Sequence, residues 1–148
     1  MSRIRRILHP SDFSPASRPA FRKAMELAKA TRSRLLVAHV LAAPVVVPEM
    51  YLLPGTYNEL ERSIRAVAQR QLNRLLAQAK RAGVRASGRL LDGMPVHEPI
   101  VRTAKAVRAD MVVMGTHGRG GISRIFLGSV ATRVVATAPC PVLTVRGR

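Results

Sequence analysis

The residues whose type and spacing bear most directly on chemistry lie between Ala109 and Ala131. The apolar run from Met111 to Met114 reads as a short buried strand that leads straight into Gly115, Gly118, Gly120 and Gly121. Gly128 and Ser129 then close the loop at the head of a helical pattern. Backbone N–H groups of a glycine-rich loop between a strand and a helix start can converge on an anion. The expected chemistry is a phosphate cradle for a nucleotide, and the alternative is a glycine loop kept only for tight packing. Two common phosphate patterns are absent. No G-x-x-x-x-G-K-[ST] occurs, and no G-x-G-x-x-G opens the first strand–helix unit with an acidic residue about 20 positions on.

Other polar groups have weaker claims. Asp12 follows the first strand and could accept from a ribose hydroxyl or an adenine amine, or simply close an Asx-turn. Ser129 can donate to a phosphate, cap a helix, or do both. Val40 is a core residue whose neighbouring backbone could read a base. His117, Arg119 and Arg124 could meet phosphate charge or face water. His9, His39 and His97 have no metal-ligand spacing, and no metal site is expected. Cys140, the one cysteine, sits between Pro139 and Pro141 and reads as an inert, half-buried thiol in a reducing compartment.

These groups need elements to hold them. Ile4, Ile7 and Leu8 predict a first strand that stops at His9-Pro10, where proline interrupts the ladder. Ser14-Pro15 reads as N-cap and first residue of a helix carrying Ala20, Ala24, Leu27 and Ala28, with Pro19 bending its start. Leu35 to Val40 is a continuously apolar strand, as in buried parallel sheets. Residues 41–59 read as a proline-punctuated surface excursion, a candidate lid or contact surface. Leu60 to Ala82 is the longest helix, with Gly83 at its end. Val84 to Leu91 predicts an edge strand and Val96 to Val107 a third helix. A helix from Ser129 to Ala136 and a last strand from Val142 to Val145 follow the glycine loop. Alternating strands and helices imply one α/β domain over residues 1–148, with an open parallel sheet and helices on both faces.

Composition narrows the class. The chain has 148 residues, 47% of them apolar, which excludes a disordered protein. Aromatics are only 3% and tryptophan is absent, which argues against a base-stacking platform for single strands. Against 8 acidic residues stand 25 Lys and Arg, a formal net charge of +17. That charge attracts polyanions nonspecifically, and a basic nucleic-acid-associating protein is the rival reading. The apolar window from Leu35 to Val47 falls short of the roughly 20 residues that span a bilayer. With no signal-like start, the expectation is a cytoplasmic protein without membrane contact.

The motifs resemble those of the universal stress protein family over essentially the whole chain. Gly115, Gly118, Gly128 and Ser129 match G-x2-G-x9-G-[ST] without a gap, and the opening Ile-Leu-His-Pro-Ser-Asp-Phe-Ser and closing Ala-Pro-Cys-Pro-Val-Leu-Thr-Val are similar to the family's ends. The resemblance implies a five-stranded parallel sheet of order 3-2-1-4-5, a Rossmann-like nucleotide-binding domain. It also implies binding of ATP, with or without Mg2+, a regulatory role in stress response and a homodimer; the edge presented by the C-terminal strand is the expected contact. By the same resemblance Pro10, Ser11 and Asp12 line the adenosine end, Val40 lies beside the base, and Met114 and Gly115 lie by the ribose. His117, Gly118, Gly128, Ser129 and Val130 surround the phosphates. Ala131 lacks the hydroxyl common there, so AMP or cyclic AMP stands as the alternative ligand. No catalytic residue is assigned: the glycine loop has no lysine, and slow ATP hydrolysis is the most that Asp12 with Mg2+ suggests.

Overall fold

Side chains along a strand alternate between the two faces of a sheet, and here that alternation feeds two separate cores. A computed structural model describes residues 3–43, 48, 53–117 and 127–147. In chain order these comprise β1 (Arg6–Pro10), a 3-10 turn (Pro15–Ser17), α1 (Arg18–Thr31), β2 (Arg34–Val40), α2 (Thr56–Arg81), β3 (Ala86–Leu91), α3 (His97–Ala106), β4 (Met111–Gly115), α4 (Ser129–Thr137) and β5 (Val142–Val145). All strand pairs are parallel, in the order β3-β2-β1-β4-β5.

Ile7, Leu35, Val37 and Val113 pack with Phe21, Ala24 and Ala28 of α1 and Leu72 and Ala79 of α2. Their sequence neighbours Leu8, Ala38, Val112 and Met114 turn the other way, onto Ile100 and Ala104 of α3 and Ala131 and Val134 of α4. With both faces covered, the inner strands are largely apolar. Leu8, Val37, Val112 and Val113 are fully buried, each contributing about 1.5–3 kcal/mol of transfer free energy. The expected order and the edge position of β3 are both observed. Among the described residues no helix is long and apolar enough to cross a membrane.

Helix ends depart from the sequence reading in instructive ways. The α2 end is a Schellman closure: Gly83, at φ +78°, donates to Lys80 O at 3.0 Å and Val84 donates to Ala79 O at 2.9 Å. Val84 is thereby used by the helix end, and β3 begins at Ala86 rather than Val84. The same closure ends α1 and α3, with Arg32 (φ 57°) and Arg108 (φ 52°) in the position that glycine usually takes. Ser14 leads into the 3-10 turn rather than α1, and its hydroxyl caps nothing. Pro19 sits in the first turn of α1, where its missing N–H has no intrahelical partner to lose, so the expected bend has no cause. Likewise α2 starts at Thr56, with Glu59 N bonded to Gly55 O at 3.0 Å, and takes in the last residues of the 41–59 segment. Residues 44–47 and 49–52 of that segment lie outside the described residues.

Candidate functional site: the crevice between β1 and β4

In the order β3-β2-β1-β4-β5 the chain progresses outward in one direction from β1 and in the other from β4. Connections diverge there, leaving a crevice at the carboxyl ends of the two strands. One dipeptide sharpens it. Ser11 N donates to Ala38 O of β2 at 2.8 Å, so by alternation residue 10 faces β4. Val112 N goes to Pro141 O at 3.0 Å, so Val113 faces β1. The next rung after Leu8↔Val112 would run from the amide of residue 10 to Val113 O, and Pro10 has no N–H. Pairing with β4 stops, while Pro10 still pairs Ala38 of β2. The expectation that Pro10 ends the strand is therefore right on one side only.

The orphaned carbonyl is taken by a side chain. His9 Nδ1–H donates to Val113 O at 2.8 Å. The His9 ring is fully buried, 5.5 Å from the Phe21 ring. Its Nε2 has no hydrogen-bond partner. Burial pulls the His9 pKa from 6.5 down to about 4, against weaker upward effects of the Val113 bond and Asp12. His9 is thus a neutral structural replacement for a ladder bond. His39 is also structural at one end: its Nδ1–H donates to Ser11 O at 2.7 Å, and Phe13, at φ 62°, stacks on it at 4.2 Å.

The β1 wall consists of Pro10, Ser11 and Asp12. Ser11 is buried, and its hydroxyl accepts from Phe13 N at 3.1 Å. Asp12 Oδ1 accepts from Ser14 N at 2.9 Å, so the Asx-turn reading of Asp12 holds, with Asp12 half-buried. Val40, at the end of β2, and Val130, in the first turn of α4, are half-buried against the α3–α4 core.

The β4 wall is built by close backbone approach. Thr116 N is held by Val145 O at 3.0 Å, and Thr116 O accepts from Gly128 N at 2.7 Å. A Cβ on Gly128 would lie 2.8 Å from that same carbonyl oxygen, so only glycine permits this contact. Gly115 is less constrained, its nearest neighbour being His117 O at 3.5 Å. His117 Nδ1 lies 3.0 Å from Thr116 Oγ1, and its Nε2 is buried without a partner.

Gly128 is the N-cap of α4, and no side chain caps the helix. Ser129 is its first residue and is exposed; the expected Ser129 cap is not formed, because Gly128 occupies that position. The first-turn amides of α4 accordingly meet no side-chain acceptor, the usual condition of a helix end that attracts anions. Ala131 points into the α3–α4 core, 2% exposed, so its lost hydroxyl bears on packing rather than on phosphate number. Gly118, with Gly120, Gly121, Arg119 and Arg124, lies outside the described residues. The sequence reading missed Phe13, Thr116 and the partner of His9. Among the described residues no cluster of three His, Cys, Asp or Glu could hold a metal, and His97 is the first residue of α3.

The model of the universal stress protein family matches residues 3–146. The chain belongs to the universal stress protein family. A relative from Methanocaldococcus jannaschii, itself a universal stress protein, is 35% identical over 144 residues, covering 96% of this chain and 82% of that one. The solved structure of universal stress protein UspA from Lactobacillus plantarum superposes with a TM-score of 0.81 at 24% identity, covering 99% of this chain and 100% of that one; this is a likeness of fold. A universal stress protein crystallised in complex with cAMP superposes with a TM-score of 0.67 at 25% identity, covering 99% and 100%. Family membership and the five-stranded architecture thus agree.

Proposed function

We propose that this universal stress protein binds an adenine nucleotide, ATP first, in the crevice between β1 and β4, and that occupancy is its regulatory signal. The observation that carries the reading is the meeting of Gly128 with Thr116 O, which brings an α4 start without a side-chain cap to the carboxyl end of β4. In this reading Pro10, Ser11, Asp12 and Val40 hold the adenosine, Met114 and Gly115 border the ribose, and His117, Gly118, Gly128, Ser129 and Val130 surround the phosphates. The unpartnered His117 Nε2, carrying its N–H, suits a phosphate oxygen. Mg2+ would arrive with the nucleotide, since among the described residues Asp12 belongs to no group of three carboxylate, His or Cys ligands.

The second reading is cyclic AMP or AMP in the same crevice, favoured by the cAMP complex of a related protein. Chromatography of small molecules released on denaturing the purified protein, with calorimetric titration of ATP, AMP and cyclic AMP, decides between them. Retention of none and millimolar binding of all three would overturn both. A turnover assay comparing the parent with Asp12→Ala tests slow hydrolysis.

The regulatory part predicts that nucleotide slows proteolysis within residues 41–59; equal cleavage with and without ATP would refute it. A homodimer through the β5 edge is supported by the exposure of Leu143 on that strand, 37% accessible, and a monomer by light scattering at micromolar concentration would refute it. The net charge of +17 accounts for nonspecific polyanion binding; loss of heparin retention at moderate salt is expected of a charge effect alone. A cytoplasmic location completes the proposal, checked by fractionation.

A further inference from the structure

A cleft of about 260 Å3 opens between the turn that precedes α1 and the middle of α2. It lies on the α1–α2 side of the sheet, whereas α4 packs on the other side. Arg18 and Arg22, one helical turn apart on α1, line it together with Arg74 of α2, with Phe21 and Leu75 as apolar lining and Ser11 at the β1 end. No carboxylate lines the cleft, and the ion pairs formed among the described residues, Lys23–Glu26 and Arg65–Asp92, use none of these arginines.

Ser14 also lines the cleft and is 7% exposed. Its backbone is fully engaged: its N–H donates to Asp12 Oδ1, and its carbonyl accepts from Ser17 N and Ser17 Oγ. Its hydroxyl is buried and has no partner. A buried unpaired hydroxyl is costly to fold around, and in one cleft with three arginines that form no ion pair among the described residues it complements an oxyanion.

We propose that this cleft is a second ligand site, for a small phosphomonoester with a compact apolar body, adjoining the proposed nucleotide crevice at Ser11 and lined otherwise by residues of its own. Three cations from two helices surround a tetrahedral dianion better than they pair a flat carboxylate, and Phe21 and Leu75 take the body of the ligand. Binding bridges α1 and α2 and so stabilises the fold by linkage.

Phenyl phosphate is the probe, followed by calorimetry and by amide shifts at Ser14, Gln71 and Leu75, with and without excess ATP. Binding that persists in ATP and moves these amides is expected. The pair Arg18→Gln with Arg74→Gln weakens it about tenfold or more, whereas the equally charged control pair Arg62→Gln with Arg70→Gln changes it less than about twofold. Ser14→Ala separates ligand binding from folding: it raises the melting temperature of the free protein by removing the unpaired hydroxyl, yet lowers phenyl phosphate affinity. Equal weakening by the two arginine pairs, displacement by ATP, or no binding at millimolar probe would each overturn the proposal.

Discussion

Lowering the pH should force a charge onto the buried His9 ring, and the size of the effect follows from its burial. An unfolded chain protonates His9 near 6.5, while the folded chain resists until about 4. Below 6.5 the unfolded state therefore binds the extra proton first, and stability falls as pH drops. The contribution is fully present above 6.5, declines between 6.5 and about 4, and is flat below. At 1.36 kcal/mol per pH unit the loss across that window is about 3 kcal/mol, a large part of the 5–15 kcal/mol typical of a domain. Full burial of the ring leaves no solvent screening to discount. Asp12, whose charge favours the imidazolium, opposes the effect weakly. The matched variant is His9→Asn, which keeps an N–H near Nδ1 but cannot titrate. Urea unfolding at pH 7.0, 6.0, 5.0 and 4.5 should show the parent losing more stability than the variant across the window, although the variant starts lower because it leaves a small cavity. Parallel pH profiles for the two proteins, or a His9 ring titrating near 6.5 by NMR, would refute the reasoning.

Gly128→Ala should cost about 1–3 kcal/mol, because two backbones must part to admit its Cβ, whereas Gly115→Ala should stay within about 1 kcal/mol at 3.5 Å from its nearest neighbour; chemical denaturation of both distinguishes them. Arg32→Gly and Arg108→Gly should each stabilise by about 0.5–1 kcal/mol, since both positions are left-handed, and a lower denaturation midpoint in either would show that the arginine side chain contributes more than its backbone costs. Cys140 should react slowly with thiol reagents in the folded protein and faster in urea: burial, then Asp110, pushes its thiol pKa up.

What was legible in the sequence follows the range of the forces involved. Apolar runs such as Leu35 to Val40 announce buried parallel strands, and the match of Gly115, Gly118, Gly128 and Ser129 to a family motif supplied the strand order. Local polar chemistry was less readable. Ser14 and Ser129 look like helix caps because serine usually is one, yet Ser14 leads into a 3-10 turn and Gly128 takes the cap ahead of Ser129. Arg32 and Arg108 give no hint of a left-handed backbone, because the signal for such a helix end is glycine. The helix-end closure itself, with Ser33 N donating to Ala28 O and Ala109 N to Ala104 O, accompanies it without glycine. Asp12 was readable in outline only, as an Asx-turn residue beside a crevice whose second wall lies about a hundred positions away.

That second wall also explains why His9 and Pro10 belong together. Proline alone would stop β1–β4 pairing and leave Val113 O buried and unpaired, at a cost of about 1–3 kcal/mol. Histidine alone, with an ordinary residue at position 10, would compete with a backbone amide for the same carbonyl. Together they end the ladder one rung early and still satisfy it. The strands are thereby freed to diverge at the point where the helix connections also diverge, so the crevice is built by the backbone before any ligand enters. It follows that His9→Asn should preserve nucleotide affinity at neutral pH, measured by calorimetry, while Pro10→Ala, which restores the amide and lets β1 and β4 zip further, should weaken it. The reverse ranking would mean that the ring of His9, rather than the missing rung, shapes the site.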